Sequence, residues 1–233
     1  MECRDLFSPV RGESLELVSI ELENRIRETL LAEPPTLVEH ATRVKTGDFE
    51  LNPMMKDWVD EDQKLRAAAV LVPIVRHETG LTMLLTQRTD HLNHHAGQVS
   101  FPGGRVEDDD KDAIDTALRE TEEEIGLARS YVEIAGYLDA YETGTGFHIV
   151  PVVGFVTPGF DLTLDDFEVA EAFEVPLKFL LEPENHQRHS RTWQGQKRRF
   201  YAMPYDEFYI WGATAGMIIN LYRRIDGQIN NDE

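Results

Sequence analysis

Between Ser14 and Glu33, Leu15, Val18, Leu22, Ile26 and Leu30 recur at helical spacing, with Ser14 as a plausible N-cap. That pattern predicts an amphipathic helix, ended by Pro34-Pro35. Residues 36–66 are mixed, polar and weakly patterned. The texture then changes. Nine uninterrupted apolar residues, Ala67–Val75, predict a buried strand, and Leu81–Thr86 its hairpin partner about Glu78-Thr79-Gly80. A helix pattern covers about Asp112–Glu124. Strand-like runs follow at 132–140, 147–157 and 170–175, then a short helix at Pro176–Leu181. Arg191–Trp193 and Arg198–Ala202 read as a hairpin about Gln194-Gly195, and a last helix covers about Gly212–Arg224, ended near Gly227.

Strands and helices interleave, but hairpins dominate the links between strands. An α/β fold with a mixed sheet and helices packed on it is therefore predicted over a doubly wound parallel sheet. Residues 1–62 are read as an N-terminal extension, helical in part, and 63–233 as the main domain. The extension could pack on that domain or offer a partner surface, and packing is preferred. No internal repeat is visible.

Composition narrows the function classes. The chain has 233 residues with 23 Lys and Arg against 43 Asp and Glu, a formal charge of −20. Such acidity argues against a protein that grips nucleic-acid phosphates, which needs clustered cations. It leaves anionic small molecules open, because a metal reverses the sign of a site locally. The single cysteine, Cys3, excludes an internal disulfide framework and a Cys-rich zinc site, and points to a reducing, cytoplasmic setting. The first residues, MECRDLFSPVRGES, lack the apolar core of a signal peptide, and no apolar run is long enough to span a bilayer.

The chemistry concentrates in Gly103-Gly104-Arg105-Val106-Glu107-Asp108-Asp109-Asp110 and Arg119-Glu120-Thr121-Glu122-Glu123-Glu124-Ile125-Gly126-Leu127. On a helix with Arg119 at the origin, Glu123 falls at about 40°, Glu120 at about 100° and Glu124 at about 140°. Ile114, Ala117, Leu118, Thr121 and Ile125 make the adjacent, apolar face. Like charges so close destabilise a helix unless a cation sits among them, and hard oxygen ligands suit Mg²⁺ or Mn²⁺. Arg119, one turn before Glu123, can orient it. Gly103-Gly104 lets backbone approach a metal or phosphate closely. Together these parts suit metal-assisted hydrolysis of a diphosphate.

The segment Gly104–Leu127 resembles the Nudix box, Gly-x5-Glu-x7-Arg-Glu-U-x-Glu-Glu-x-Gly-U with U aliphatic. Thr121 stands in an aliphatic slot. Asp110 stands in the first Glu slot, and eight residues rather than seven separate it from Arg119. The resemblance implies the Nudix α/β/α sandwich and divalent metal held by Glu120, Glu124 and Glu123 with help from the Gly104 carbonyl. It also implies that Arg119 orients a glutamate.

Upstream, Leu84-Leu85-Thr86-Gln87-Arg88-Thr89 … Gly97-Gln98-Val99-Ser100-Phe101-Pro102-Gly103-Gly104 is similar to the signature of the coenzyme A diphosphatase branch, with its spacing intact. Thr89 replaces Ser or Ala, and Asn93 replaces Arg, removing a cation. The implied reaction cuts coenzyme A or acyl-CoA into 3′,5′-ADP and 4′-phosphopantetheine or its acyl form. A Nudix hydrolase of another nucleoside diphosphate, such as ADP-ribose or NADH, stays open because of Asn93, as does a non-catalytic nucleotide-binding protein. A homodimer is a family analogy only.

Candidate substrate contacts are Arg88, then Arg105, with Gly103 lining the diphosphate site; Phe101 either walls the site or belongs to the core. Candidate bases are Glu123 and Glu168, the latter in the acidic stretch Asp165-Asp166-Phe167-Glu168. Activation of water by metal alone also suffices in principle. His91, His94 and His95 lie before the Gly-Gly loop and could meet metal or phosphate. Lys197-Arg198-Arg199 is a short basic patch, read as solvated.

Overall fold

The nine-residue apolar run lies in a central strand of the sheet. In the computed structural model, which describes residues 15–35, 46–53, 65–92, 96–193 and 195–227, β1 (Arg66–His77) pairs with three other strands. Antiparallel to it run β2 (Gly80–Arg88), joined by the predicted turn, and the short β4 (Gly103–Arg105). Parallel to it runs β7 (Phe147–Val156), in register from Arg66 with Phe147 to Val75 with Val156. The strand order is β3-β2-β1-β7-β5, with β3 at Val99–Ser100 and β5 at Val132–Tyr137. Off that path, β6 (Tyr141–Glu142) pairs with β7 and β8 (Val169–Pro176) with β2.

The two faces of this sheet carry different helices, which is why β1 reads as continuously apolar rather than alternating. Ala69, Leu71, Val150 and Val152 pack on Ala117 and Leu118 of α2 (Ala113–Ile125). On the other face Val72, Ile74, Met83 and Phe155 meet Leu22, Ile26 and Leu30 from α1 (Leu15–Thr29) and the segment just after it. Met217, Ile218 and Leu221 of α4 (Ala213–Ile225) join the same cluster. The result is an α/β/α sandwich around a mixed sheet.

After β8 the short α3 (Leu177–Leu181) leads into a three-stranded antiparallel sheet. It consists of β9 (Gln187–Trp193), β10 (Gln196–Tyr205) and β11 (Phe208–Trp211), in the order β11-β10-β9. The basic patch Lys197-Arg198-Arg199 lies on β10, and Arg198 comes within 3.7 Å of Asp48.

The N-terminal helix is built into this core. Arg25 donates to the Ile225 carbonyl at 2.9 Å, and Arg224 donates to the Thr29 carbonyl at 3.0 Å while pairing with Asp139. Arg27 and Arg76 share Glu23 and Glu133, and both guanidiniums lie over the Phe155 ring. The helix stops at Thr29, earlier than the prolines at 34 and 35 predict. Two residues on, Leu31 exchanges backbone hydrogen bonds with Tyr137 of β5, an extended pairing incompatible with another helical turn. The predicted cap Ser14 lies outside the described residues. Among the described residues no helix is long and apolar enough to cross a membrane.

Candidate active site

Local sequence sets α2 at both ends. The Asp112 side chain caps it by accepting from the Asp115 N–H at 2.8 Å. Gly126 ends it in the left-handed conformation (φ 71°), its N–H returning to the Glu122 carbonyl. Since α2 buries Ala117, Leu118 and Ile125 against the sheet, Glu120 and Glu124 are directed to one edge, facing β4.

Glu120 and Glu124, one turn apart, lie against the two glycines. The Glu120 carboxylate fills the space that a Cβ on Gly104 would occupy, so any side chain there would displace it. At Gly103 (φ 148°) the backbone passes so close to β1 that a Cβ would strike the Ala69 carbonyl, and its N–H donates to Glu124 Oε2 at 3.1 Å. The glycine pair therefore admits one carboxylate by close approach and hydrogen-bonds the other.

Glu124 is nearly enclosed, its side chain 7% exposed. Burial pushes its carboxyl up to about 7, against the pull of the Gly103 N–H and Arg88, and the charges of Glu120 and Glu168 add to the rise. Arg88, at the end of β2, reaches it only at 3.5 Å and divides itself between Glu124 and Glu168, the latter at 3.4 Å. Burial likewise raises the Glu120 carboxyl, opposed by Arg119 and assisted by Glu123 and Glu168. Glu120 and Glu124 thus sit among like charges, with Arg88 divided between Glu124 and Glu168 and Glu120 held by Arg119.

Arg119 is engaged by several partners at once. Its Nε and Nη2 grip both oxygens of Asp110 at 2.8 and 2.9 Å. Nη1 reaches Glu120 at 3.0 Å and Glu123 at 3.1 Å, and Nη2 also donates to the Arg105 carbonyl at 3.1 Å. Asp110 in turn accepts from the Glu107 N–H and the Thr116 hydroxyl, both at 2.9 Å. The Arg119 guanidinium and these donors hold Asp110 far below the usual carboxylate range. This clamp ties the loop after β4 to the face of α2 that presents Glu120.

The remaining sequence candidates separate. Glu123 does not join Glu120 and Glu124; its side chain is 61% exposed and turned to Arg119 on the outer edge. Arg105 presents its carbonyl to Arg119 while its guanidinium lies 5.5 Å from the Phe147 ring centroid, so it is not directed at the carboxylates. Phe101 is buried in the main core and does not wall an open site. Asn93, His94 and His95 lie outside the described residues. His91 packs on Phe167 rather than joining an acidic cluster.

Two features escaped the sequence reading. Asp110 is the principal partner of Arg119, which its place in a Glu slot could have signalled. Thr89 anchors the loop before β8, its hydroxyl donating to the Phe167 carbonyl at 2.8 Å and its N–H to the Glu168 carbonyl at 3.0 Å.

Among the described residues, no three His, Cys, Asp or Glu side chains are placed to hold a metal ion as they stand. The donor chemistry nevertheless fits a hard divalent cation: a buried carboxylate, Glu124, and a half-buried one, Glu120, neighbouring each other beside backbone stripped of side chains.

Comparison with known proteins agrees on the family. The NUDIX domain model matches residues 64–194. The Nudix hydrolase NudL of Escherichia coli (strain K12), itself described as uncharacterized, is 43% identical over 161 residues, covering 69% of this chain and 83% of the relative. Similar solved structures include a MutT protein from Methanosarcina mazei Go1 (21% identity, 74% of this chain and 99% of that one, TM-score 0.46). A C. elegans Ap4A hydrolase complex is another (20% identity, 48% and 80%, TM-score 0.42). On the domain match and the bacterial relative, this chain belongs to the Nudix hydrolase family.

Proposed function

We propose that the protein hydrolyses the diphosphate of coenzyme A or acyl-CoA, giving 3′,5′-ADP and 4′-phosphopantetheine or its acyl form, with Mg²⁺ or Mn²⁺. The observation that carries the hydrolytic part is Glu124: a buried carboxylate with neighbouring carboxylates and only a shared arginine, an arrangement that a divalent cation would relieve. The coenzyme A part is supported by the signature from Leu84 to Gly104.

Glu120 and Glu124 are the side chains that would hold the ion, with the Gly104 carbonyl as a further donor. Bound there, a divalent ion would neutralise phosphoryl charge and lower the pKa of the attacking water. Arg119, fixed by Asp110, holds Glu120 in place. Arg88 offers a cation to the diphosphate, and substrate binding would draw it from Glu124 and Glu168. Glu168 is better situated as the general base than Glu123, because it shares Arg88 with Glu124 whereas Glu123 turns outward.

A second reading, hydrolysis of ADP-ribose or NADH, is supported by Asn93, which removes a cation from the coenzyme A signature. Mass spectrometry of products from coenzyme A, ADP-ribose and NADH, each with Mg²⁺, Mn²⁺ or EDTA, tests both. The expected outcome is metal-dependent 3′,5′-ADP and 4′-phosphopantetheine, well ahead of cleavage of the others. Cleavage of ADP-ribose or NADH but not coenzyme A would replace the first reading by the second.

A further inference from the structure

One residue before Glu168, a large aromatic side chain stands in solvent. Phe167 is 65% exposed, the most exposed large hydrophobic side chain among the described residues. Its backbone is nevertheless tightly held. Its N–H donates to Asp165 Oδ1 at 2.9 Å and its carbonyl accepts from the Thr89 hydroxyl at 2.8 Å. The N–H groups of Glu168 and Val169 both return to the Asp165 carbonyl, at 3.0 and 2.9 Å. The His91 ring lies against the phenyl ring, centroids 4.9 Å apart at 59°. A fixed backbone thus presents an apolar ring, flanked by an imidazole, to water.

The position of this ring suggests its occupant. Glu168 meets Arg88 at 3.4 Å, and the same guanidinium reaches Glu124 at 3.5 Å, so the aromatic pair adjoins the carboxylate cluster directly along the chain. Coenzyme A, ADP-ribose and NADH all carry an adenine one ribose away from the diphosphate. We propose that Phe167, flanked by His91, is the stacking platform for the nucleobase of the substrate whose diphosphate meets the Glu120–Glu124–Arg88 cluster. The inference rests on the hydrolase reading of that cluster. A ring face reads a base by its π surface rather than by its hydrogen-bonding edge, so the platform selects for a base without distinguishing purines sharply. Stacking of one base on one aromatic ring corresponds to about a 5- to 150-fold gain in affinity.

The test compares the binding of AMP and ribose 5-phosphate by calorimetry, on the full chain and its F167A and F167W variants, with 4′-phosphopantetheine as a third probe. The wild type should prefer AMP to ribose 5-phosphate by a factor in that range. F167A should bring the ratio near one through weaker AMP binding alone, and F167W should retain it. No preference in the wild type, or an AMP preference unchanged in F167A, overturns the proposal. So does a loss confined to 4′-phosphopantetheine, which would assign the ring to the pantetheine arm. Turnover of coenzyme A, ADP-ribose and NADH on the same preparations separates the two readings. A base preference lost in F167A without any wild-type turnover would sink the hydrolase reading and keep the platform. Normal turnover with KM unchanged in F167A would do the reverse.

Discussion

Asp110 and Glu124 both have side chains that solvent barely reaches, 3% and 7% exposed, but Glu124 lies deeper in the protein, and they are driven in opposite directions. Asp110 is held far below the usual range and Glu124 is pushed up to about 7. Desolvation is the main cause of the rise at Glu124, whereas at Asp110 the hydrogen bonds from Arg119 outweigh it. Asp110 has both oxygens on one guanidinium, plus a backbone N–H and a hydroxyl. Glu124 has one backbone N–H and a divided arginine, and carboxylates on two sides. The first is a closed account of charge and shapes the loop. The second is left open, and an open buried charge is what a cation or a reaction can use.

The strongest way to break this contrast is to neutralise the open carboxylate. E124Q should lower kcat/KM for diphosphate cleavage by about 10³-fold, since several kcal/mol of charge stabilisation would go with the cation. The same variant should be more stable than the wild type in EDTA at pH 8, by about 2 kcal/mol in denaturant unfolding, because a buried anion with poor partners is removed. A loss of stability in E124Q would mean that Glu124 is a structural acid like Asp110.

D110N is the opposite case. Removing the charge leaves Arg119 short of its bidentate partner, and unfolding should become easier by about 3 kcal/mol. Chemical denaturation at pH 7 reads this directly; a change below about 0.5 kcal/mol would remove the clamp from the argument.

The smallest effect lies in acid. The pKa of Asp110 is depressed in the folded protein, so its contribution to stability is complete above the unfolded value near 3.8 and fades as pH falls below it. The stability gap between wild type and D110N should accordingly narrow below about pH 4 and stay flat from pH 5 to 8. A gap that widened in acid would assign the clamp to another group.

How much of this was legible in the sequence follows the length of each signal. The apolar run gave β1, and the helix pattern gave α2 to within a residue at each end. The strands of two or three residues, β3, β4 and β6, are too short to show a period. At Pro204 the sequence argues for a break, yet β10 runs on through it to Tyr205 and pairs with β11, which the sequence reading left unassigned. Within the site, helical geometry brought Glu120, Glu123 and Glu124 to one face, but it did not show that Glu123 turns outward to Arg119. The compensation at Asp110 was harder to see: relative to the Nudix pattern, the side chain is one methylene shorter and the connection to Arg119 one residue longer, and the two changes together still deliver a bidentate pair. The roles of Thr89 and Arg88 depend on the pairing of β2 with β8, which no local pattern reveals.

The parallel pairing of β1 with β7 has a kinetic consequence. Its partners, from Arg66 with Phe147 to Val75 with Val156, are separated by the whole of β2, α2 and β5. Closing so long a loop costs chain entropy before any of the pairing can repay it, which is characteristic of domains that fold in about milliseconds to seconds rather than microseconds. Because β4 hangs its two glycines on β1 and α2 packs across β1 and β7 together, the cleft is assembled only when that closure is made. On the ribosome, helix and hairpin can emerge and form early, but the chain must reach β7 before it has a site at all.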